Sequence, residues 1–216
     1  MNQSNPKTDI DEIQSYLSSH TIRKLHLGAA TNFLDGWLNV DIFPISGMSI
    51  YLDATQRFPF EDNSFDYVFS EHMIEHISHR EGLFMLRECN RILRKGGVIR
   101  IATPNLAVLI DLYSTTQNDI QKRYIKWITD RFLPDIHVYK ASYVINNAFY
   151  NWGHRFLYDS DLLKTLMEQA GFVEIKSCIP GQSSDEHLTG IEAHGKTIED
   201  EELNQFETFV LEGRRS

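Results

Sequence analysis

The chain has 216 residues, 42% of them apolar and 12% aromatic, with a formal net charge of -9. A chain of this length can bury roughly 70% of the surface it exposes when unfolded, enough for one ordinary core. The acidic balance excludes a general affinity for nucleic acid or an anionic membrane, because binding phosphate requires a field of the opposite sign.

Two cysteines, Cys89 and Cys178, lie far apart and form no Cys-x-x-Cys pair, which suits a reducing compartment. The start, MNQSNPKTDIDEIQ, is polar and acidic rather than basic then apolar, and no apolar run approaches the roughly 20 residues of a membrane helix. Both features predict a cytoplasmic protein.

Ile10, Ile13 and Leu17 keep helical spacing behind the polar leader and predict an amphipathic helix over residues 10–18. Short apolar runs bounded by turn residues follow at 24–28, 37–42, 49–53 and 65–70, and each reads as a buried strand. Leu83, Leu86, Asn90 and Leu93 then fall on adjoining helical turns, with Arg91, Arg94 and Lys95 at the end and Gly96-Gly97 beyond as stop signals. Residues 98–102 form the next strand, closed by Thr103-Pro104-Asn105. Ser160 is placed to cap a helix carrying Leu162, Leu163, Leu166, Met167 and Ala170, which Gly171 stops; residues 172–175 and 206–211 supply the last strands. Strands alternating with helical patterns predict a single α/β domain over 1–216, an open, largely parallel sheet with helices on both faces. Within it, residues 106–158 read as a ring-rich insertion after the fifth strand.

In such sheets ligands bind beyond the carboxyl ends of the strands. After the first strand stands Gly28-Ala29-Ala30-Thr31-Asn32, small residues that allow a close backbone approach. After the second stands Asp41, able to accept both hydrogen bonds of a ribose diol, after the third Asp53-Ala54, and after the fourth Ser70-Glu71-His72. A dehydrogenase would want G-x-G-x-x-G and an acidic residue about 20 positions on. Only Gly28 of those glycines is present, and Asp41 comes too early.

The stretch from Ser70 to His79 contains H-x-x-E-H as His72, Glu75 and His76, the string of inverted zincins. With the fourth strand ending at Ser70, His72 falls in a turn and His76 in the following helix, so the two need not share a face. A zinc hydrolase would need a third ligand, and the sequence singles none out. No metal ligand is therefore assigned.

Four phrases occur in order: Phe58-Pro59-Phe60-Glu61-Asp62-Asn63-Ser64-Phe65-Asp66-Tyr67-Val68, Ile74-Glu75-His76-Ile77, Arg91-Ile92-Leu93-Arg94-Lys95-Gly96-Gly97 and Ala170-Gly171-Phe172. Together they resemble the class I S-adenosylmethionine-dependent methyltransferases, in particular the small type-11-like methyltransferase domain, over Lys24 to about Phe172. The resemblance implies a Rossmann-like, doubly wound sheet of seven strands in the order 3-2-1-4-5-7-6 with the last antiparallel. It implies S-adenosyl-L-methionine as cofactor and S-adenosyl-L-homocysteine as product. Gly28 and Ala30 would then lie under the methionine and ribose portions, Asp41 would bind the ribose hydroxyls, Asp53 the adenine amino group, and Ser70 and His72 would border the methionine end. Ala29, Ile42, Ala54 and Glu71 complete the implied cofactor set. Where the family often writes G-x-G-x-G, this chain has Gly28-Ala29-Ala30-Thr31-Asn32.

Methyl transfer from a sulfonium is an in-line displacement, and a general base is needed only for a hydroxyl or protonated amine acceptor. The base candidates are His154 and His137, then His72; the run Asn151 to Tyr158 precedes the late helix and is placed to edge the pocket. The expected acceptor is a small or glycan-like molecule. A cofactor-binding subunit without activity is the other reading, with residues 10–18 as its interface.

Overall fold

The computed structural model describes residues 6–216, so the polar leader over residues 1–5 lies outside the described residues. Alternation along Lys24–Leu27 (β1) decides the centre of the sheet: Leu25 and Leu27 point into one face and are fully buried, while His26 points into the other, stacking on Phe69 at 4.9 Å. Around β1 the strands β2 (Leu38–Asp41), β3 (Ile50–Tyr51), β4 (Phe65–Glu71), β5 (Leu93–Pro104), β6 (Phe172–Cys178) and β7 (Thr208–Arg215) form one sheet in the order 3-2-1-4-5-7-6. β7 runs antiparallel to both neighbours and the remaining pairs are parallel, as the resemblance implied.

Helices cover only one face in the expected way. There α1 (Pro6–Ser19), α2 (His79–Ile92) and α6 (Ser160–Gln169) pack Ile13, Leu86, Cys89, Leu163 and Leu166 onto the Leu25, Val68 and Ile99 side of the sheet. Ser78 and Glu81 form a capping box that starts α2. No helix joins β1 to β2, β2 to β3 or β3 to β4. The opposite face carries Trp37, Phe69, Val98 and Leu188, covered by loop residues rather than a helical layer.

A loop laid on a sheet leaves backbone carbonyls without helical partners. Arg100, fully buried on β5, supplies donors to two of them, Ile179 and Gln182, and pairs with Glu192 at 2.5 Å and Glu212 at 2.6 Å. This one side chain ties the segment after β6 to the sheet.

Above the carboxyl ends of the strands sits a cap of α3 (Leu106–Asp111), α4 (Asp119–Phe132), α5 (Ala141–Tyr150), α7 (His194–Ile198) and α8 (Glu201–Glu207), with Leu109, Tyr124, Ile128, Val144 and Leu203 at its centre. The cap thus draws on residues well past the 106–158 segment. Three boundaries also differ from expectation. Asp159, not Ser160, caps α6 by accepting from Leu162 N at 2.8 Å. Phe206 and Glu207 end α8, which Asp200 caps, so β7 begins at Thr208. Gly96 and Gly97 lie inside β5, where the pairing with β4 shifts register, and α2 has already ended at Ile92. Among the described residues no helix is long and apolar enough to cross a membrane.

Candidate active site

The turn after β1 is held open by backbone geometry. Gly28 (φ +71°) and Ala30 (φ +43°) adopt left-handed conformations, and a Cβ at Gly28 would stand 2.5 Å from Met73 Cγ, so only glycine fits beneath that side chain. Gly28 N and Ala29 N both donate to Val40 O, which joins the turn to the end of β2. Next in the chain after Val40, Asp41 accepts from Ala30 N at 2.9 Å on Oδ2 and from Phe43 N at 2.8 Å on Oδ1. Each carboxylate oxygen has a second lone pair, so this fixed Asp41 keeps the capacity to accept from a diol. Ile42 beside it is about half exposed.

At the other strand ends the roles divide. Asp53 Oδ1 accepts from Thr55 N and Thr55 Oγ1, building the turn that holds Ala54. Ser70, in register with Leu27, is buried, and its Oγ has no hydrogen-bond partner among the described residues. An orphaned hydroxyl beside the glycine turn fits a bound polar group there. Glu71 accepts from Ala193 N and His194 N and so anchors the start of α7. Burial raises its pKa, and those backbone bonds oppose the rise.

Beyond β4 and β5 opens a cavity of about 320 Å³. Rings of Trp127, Phe132 and Trp152 form its apolar wall; His72, Glu75, His76, His154, His194 and Glu207 form the polar one. His72 leaves β4 with φ +45° and its backbone N donates to Ala102 O. Its ring stacks on His194 at 3.8 Å, with Nε2 2.9 Å from Thr208 Oγ1 and Nδ1 3.5 Å from Glu75 Oε1. Glu75 and His76 sit in a 3₁₀ turn, Ile74–His76, so the H-x-x-E-H string does not lie on one α-helix. The Glu75 carbonyl accepts from Arg155 N and Phe156 N, and left-handed Trp152 and Gly153 precede His154, which is thereby carried to the same turn. His76 and His154 meet edge to face at 5.0 Å.

Burial dominates the electrostatics here. It pushes the fully buried Glu75 carboxyl up to about 7, against which the Thr103 hydroxyl bond works. It also holds His72 well below the ordinary imidazole value, aided by the neighbouring His194, and lowers His76 and His154. His194 differs. Burial lowers it, but the bond to Glu207 at 2.9 Å and the charges of Glu207, Glu71 and Glu75 outweigh that and leave it above its ordinary value. Tyr124 donates to the other Glu207 oxygen, and burial raises its hydroxyl well above the usual range.

Of the base candidates, His72 and His154 line the cavity. His137 does not: it is exposed on the loop between α4 and α5. The His194–Glu207–Tyr124 chain is not marked in the sequence, where Glu207 reads as strand and Tyr124 as one ring among many. The Asp200-to-Leu203 cap of α8 was the available signal.

A family model described as a methyltransferase domain matches residues 41–101, from Asp41 through the strand after α2. Over these residues the chain is similar to that methyltransferase domain, and its strand order is the one implied for class I S-adenosylmethionine-dependent methyltransferases. The chain is 32% identical over 124 residues to demethylmenaquinone methyltransferase of Staphylococcus haemolyticus, covering 55% of this chain and 45% of that protein. It is 29% identical over 133 residues to a ubiquinone/menaquinone biosynthesis C-methyltransferase of Burkholderia cenocepacia, covering 59% and 47%. The match spans about half the length of these curated relatives. In fold it is similar to a SAM-dependent methyltransferase from Archaeoglobus fulgidus, with a TM-score of 0.52 at 16% identity, covering 97% of this chain and 92% of that one. A second such structure, from Mesorhizobium loti, has a TM-score of 0.50 at 12% identity, covering 94% and 97%. The cofactor of this family is S-adenosylmethionine, and the Gly28 turn, Asp41 and the orphaned Ser70 hydroxyl fit it.

Proposed function

We propose that the protein transfers a methyl group from S-adenosylmethionine to a small hydroxyl-bearing acceptor with a flat or apolar face, a ring or a glycan-like molecule, seated in the cavity. The observation that carries this reading is the cavity itself: it starts at His72, two residues beyond Ser70 on the same strand end, and sets aromatic walls opposite a histidine-rich floor. The curated relatives are named for demethylmenaquinone and for ubiquinone/menaquinone biosynthesis. A flat, hydroxylated ring is the kind of acceptor that Trp127, Phe132 and Trp152 would take.

When bound, the cofactor supplies an electrophilic methyl carbon on a sulfonium. The chain's own residues do the rest. Gly28, Ala29 and Ala30 would bring backbone close to the methionine and ribose portions, Asp41 would accept from the ribose hydroxyls, and Asp53 with Ala54 and the exposed Ile42 would border the adenine. Glu71 holds α7 in place by its two backbone bonds. The cap excludes water and positions the acceptor oxygen, which supplies most of the acceleration in a displacement of this kind. His72, fixed by Thr208 and by stacking on His194, takes the acceptor's proton.

The test is transfer of a labelled methyl group from S-adenosylmethionine to a panel of hydroxylated rings and glycosides. His72→Ala should lower kcat by roughly 10²–10⁴-fold while S-adenosylhomocysteine affinity stays within about threefold. No labelled product with any acceptor class, together with no thermal shift on adding S-adenosylhomocysteine, would remove the reading.

A further inference from the structure

We propose that Glu75, His76 and His154 bind a divalent first-row transition cation, of the Zn²⁺, Mn²⁺ or Co²⁺ kind, on the polar wall of the cavity. One ligand atom from each lies within 4.8 Å of the others, and His76 Nε2 is 4.0 Å from Glu75 Oε1. Neighbouring donors around such an ion, each about 2.1 Å from it, stand about 3–3.5 Å apart. Small side-chain rotations close that gap.

The set is built rather than accidental, because Glu75 and His154 are already oriented from behind. Glu75 is completely buried; its Oε2 accepts from Thr103 Oγ1 at 2.9 Å, while Oε1, 3.5 Å from His72 Nδ1, has no hydrogen-bond partner among the described residues and lies on the cavity side with the imidazoles. A buried carboxylate oxygen left without a donor is costly, and a cation between it and two imidazoles resolves it. His154 Nδ1 lies 2.7 Å from Ala148 O, leaving Nε2 for the cavity. Histidines that ligate metals characteristically give their second nitrogen to a carbonyl in this way. Two imidazoles and one carboxylate with positions left open suit borderline cations that also bind substrate oxygen. Of the H-x-x-E-H string only Glu75 and His76 belong to the set, the third ligand is His154, and the arrangement is not that of an α-helical zincin.

The site does not depend on the methyl-transfer reading. If both hold, the open positions face the acceptor oxygen, the ion eases loss of its proton, and His154 acts as a ligand, not as a base.

The experiment uses the whole chain after chelator treatment, titrated with Zn²⁺, Mn²⁺ and Co²⁺ by calorimetry, with the visible spectrum of the Co²⁺ form as a second readout. At least one ion should bind one per chain, and the Co²⁺ spectrum should differ from that of the aqueous ion. His76→Gln and His154→Gln should each weaken binding by about 10²-fold or more, while His79→Ala, on the exposed start of α2, leaves it within twofold. S-adenosylhomocysteine binding of each variant reports that it has folded. An aqueous Co²⁺ spectrum, or equal affinity in the His76→Gln/His154→Gln double variant, overturns the site. No ion bound while labelled-methyl transfer persists would overturn the site alone and leave the proposed reaction standing.

Discussion

Arg100→Met tests how the loop-covered face is held. The Arg100 side chain is 0% exposed and its partners Glu192 and Glu212 are each 3% exposed, so the substitution strands two carboxylates out of water and removes donors from the Ile179 and Gln182 carbonyls. Breaking a buried ion pair by deleting one member costs about 3–5 kcal/mol. Glu212 keeps Lys176 Nζ at 3.0 Å and Glu192 keeps Gly181 N at 3.0 Å, which places the loss near the lower end, about 3 kcal/mol. In a domain of this size that corresponds to a fall in Tm of about 6–12 °C, read by thermal and urea unfolding. The triple variant Arg100→Met/Glu192→Gln/Glu212→Gln should recover at least half of it, since neutral amides are far cheaper to bury than unpaired charges. Hydrogen exchange should also quicken at Ala193 and His194, whose amides Glu71 holds at the end of the same segment. A single variant that melts within about 2 °C of the parent would refute this account of the second face.

Asp41→Asn should raise the dissociation constant for S-adenosylhomocysteine about 10–100-fold, the worth of one or two charge-assisted bonds; calorimetry with no change would free Asp41 from the ribose. Gly28→Ala should destabilise by about 1–3 kcal/mol, because it forces a left-handed alanine against Met73, and Gly28→Ala/Met73→Ala should recover only the steric part in urea titrations. For pH dependence, the bond from Arg91 lowers the Glu88 carboxyl below its ordinary 4.5, with burial opposing. Its stabilisation is therefore complete above 4.5 and lost as pH falls through the folded-state value. Urea midpoints from pH 6 to 3 should fall less steeply in Glu88→Gln; parallel curves would contradict the assignment.

What was legible in the sequence was what neighbouring residues settle among themselves. Leu25, His26 and Leu27 declare the two faces of β1, and Gly28, Asp41, Asp53 and Ser70 stand at strand ends, where the open-sheet rule directs attention without any knowledge of packing. The helices expected on both faces were an average property of alternating α/β chains, and here Trp37 and Leu188 cover the second face singly, with no periodicity to announce them. The polar wall was illegible for a different reason. Glu75 and His76 are adjacent in the chain, yet His154 reaches them because the Glu75 carbonyl accepts the Arg155 and Phe156 amides. Backbone pairing of that kind carries no signature in side-chain type. His194 likewise arrives only because α7 and α8 fold back over the strand ends, bringing Glu207 and Tyr124 to one side of it. Candidate residues on strand ends can thus be named from sequence, whereas the groups facing them across a cavity depend on how the cap closes, and in this chain those facing groups include Glu75, pushed up to about 7 by burial.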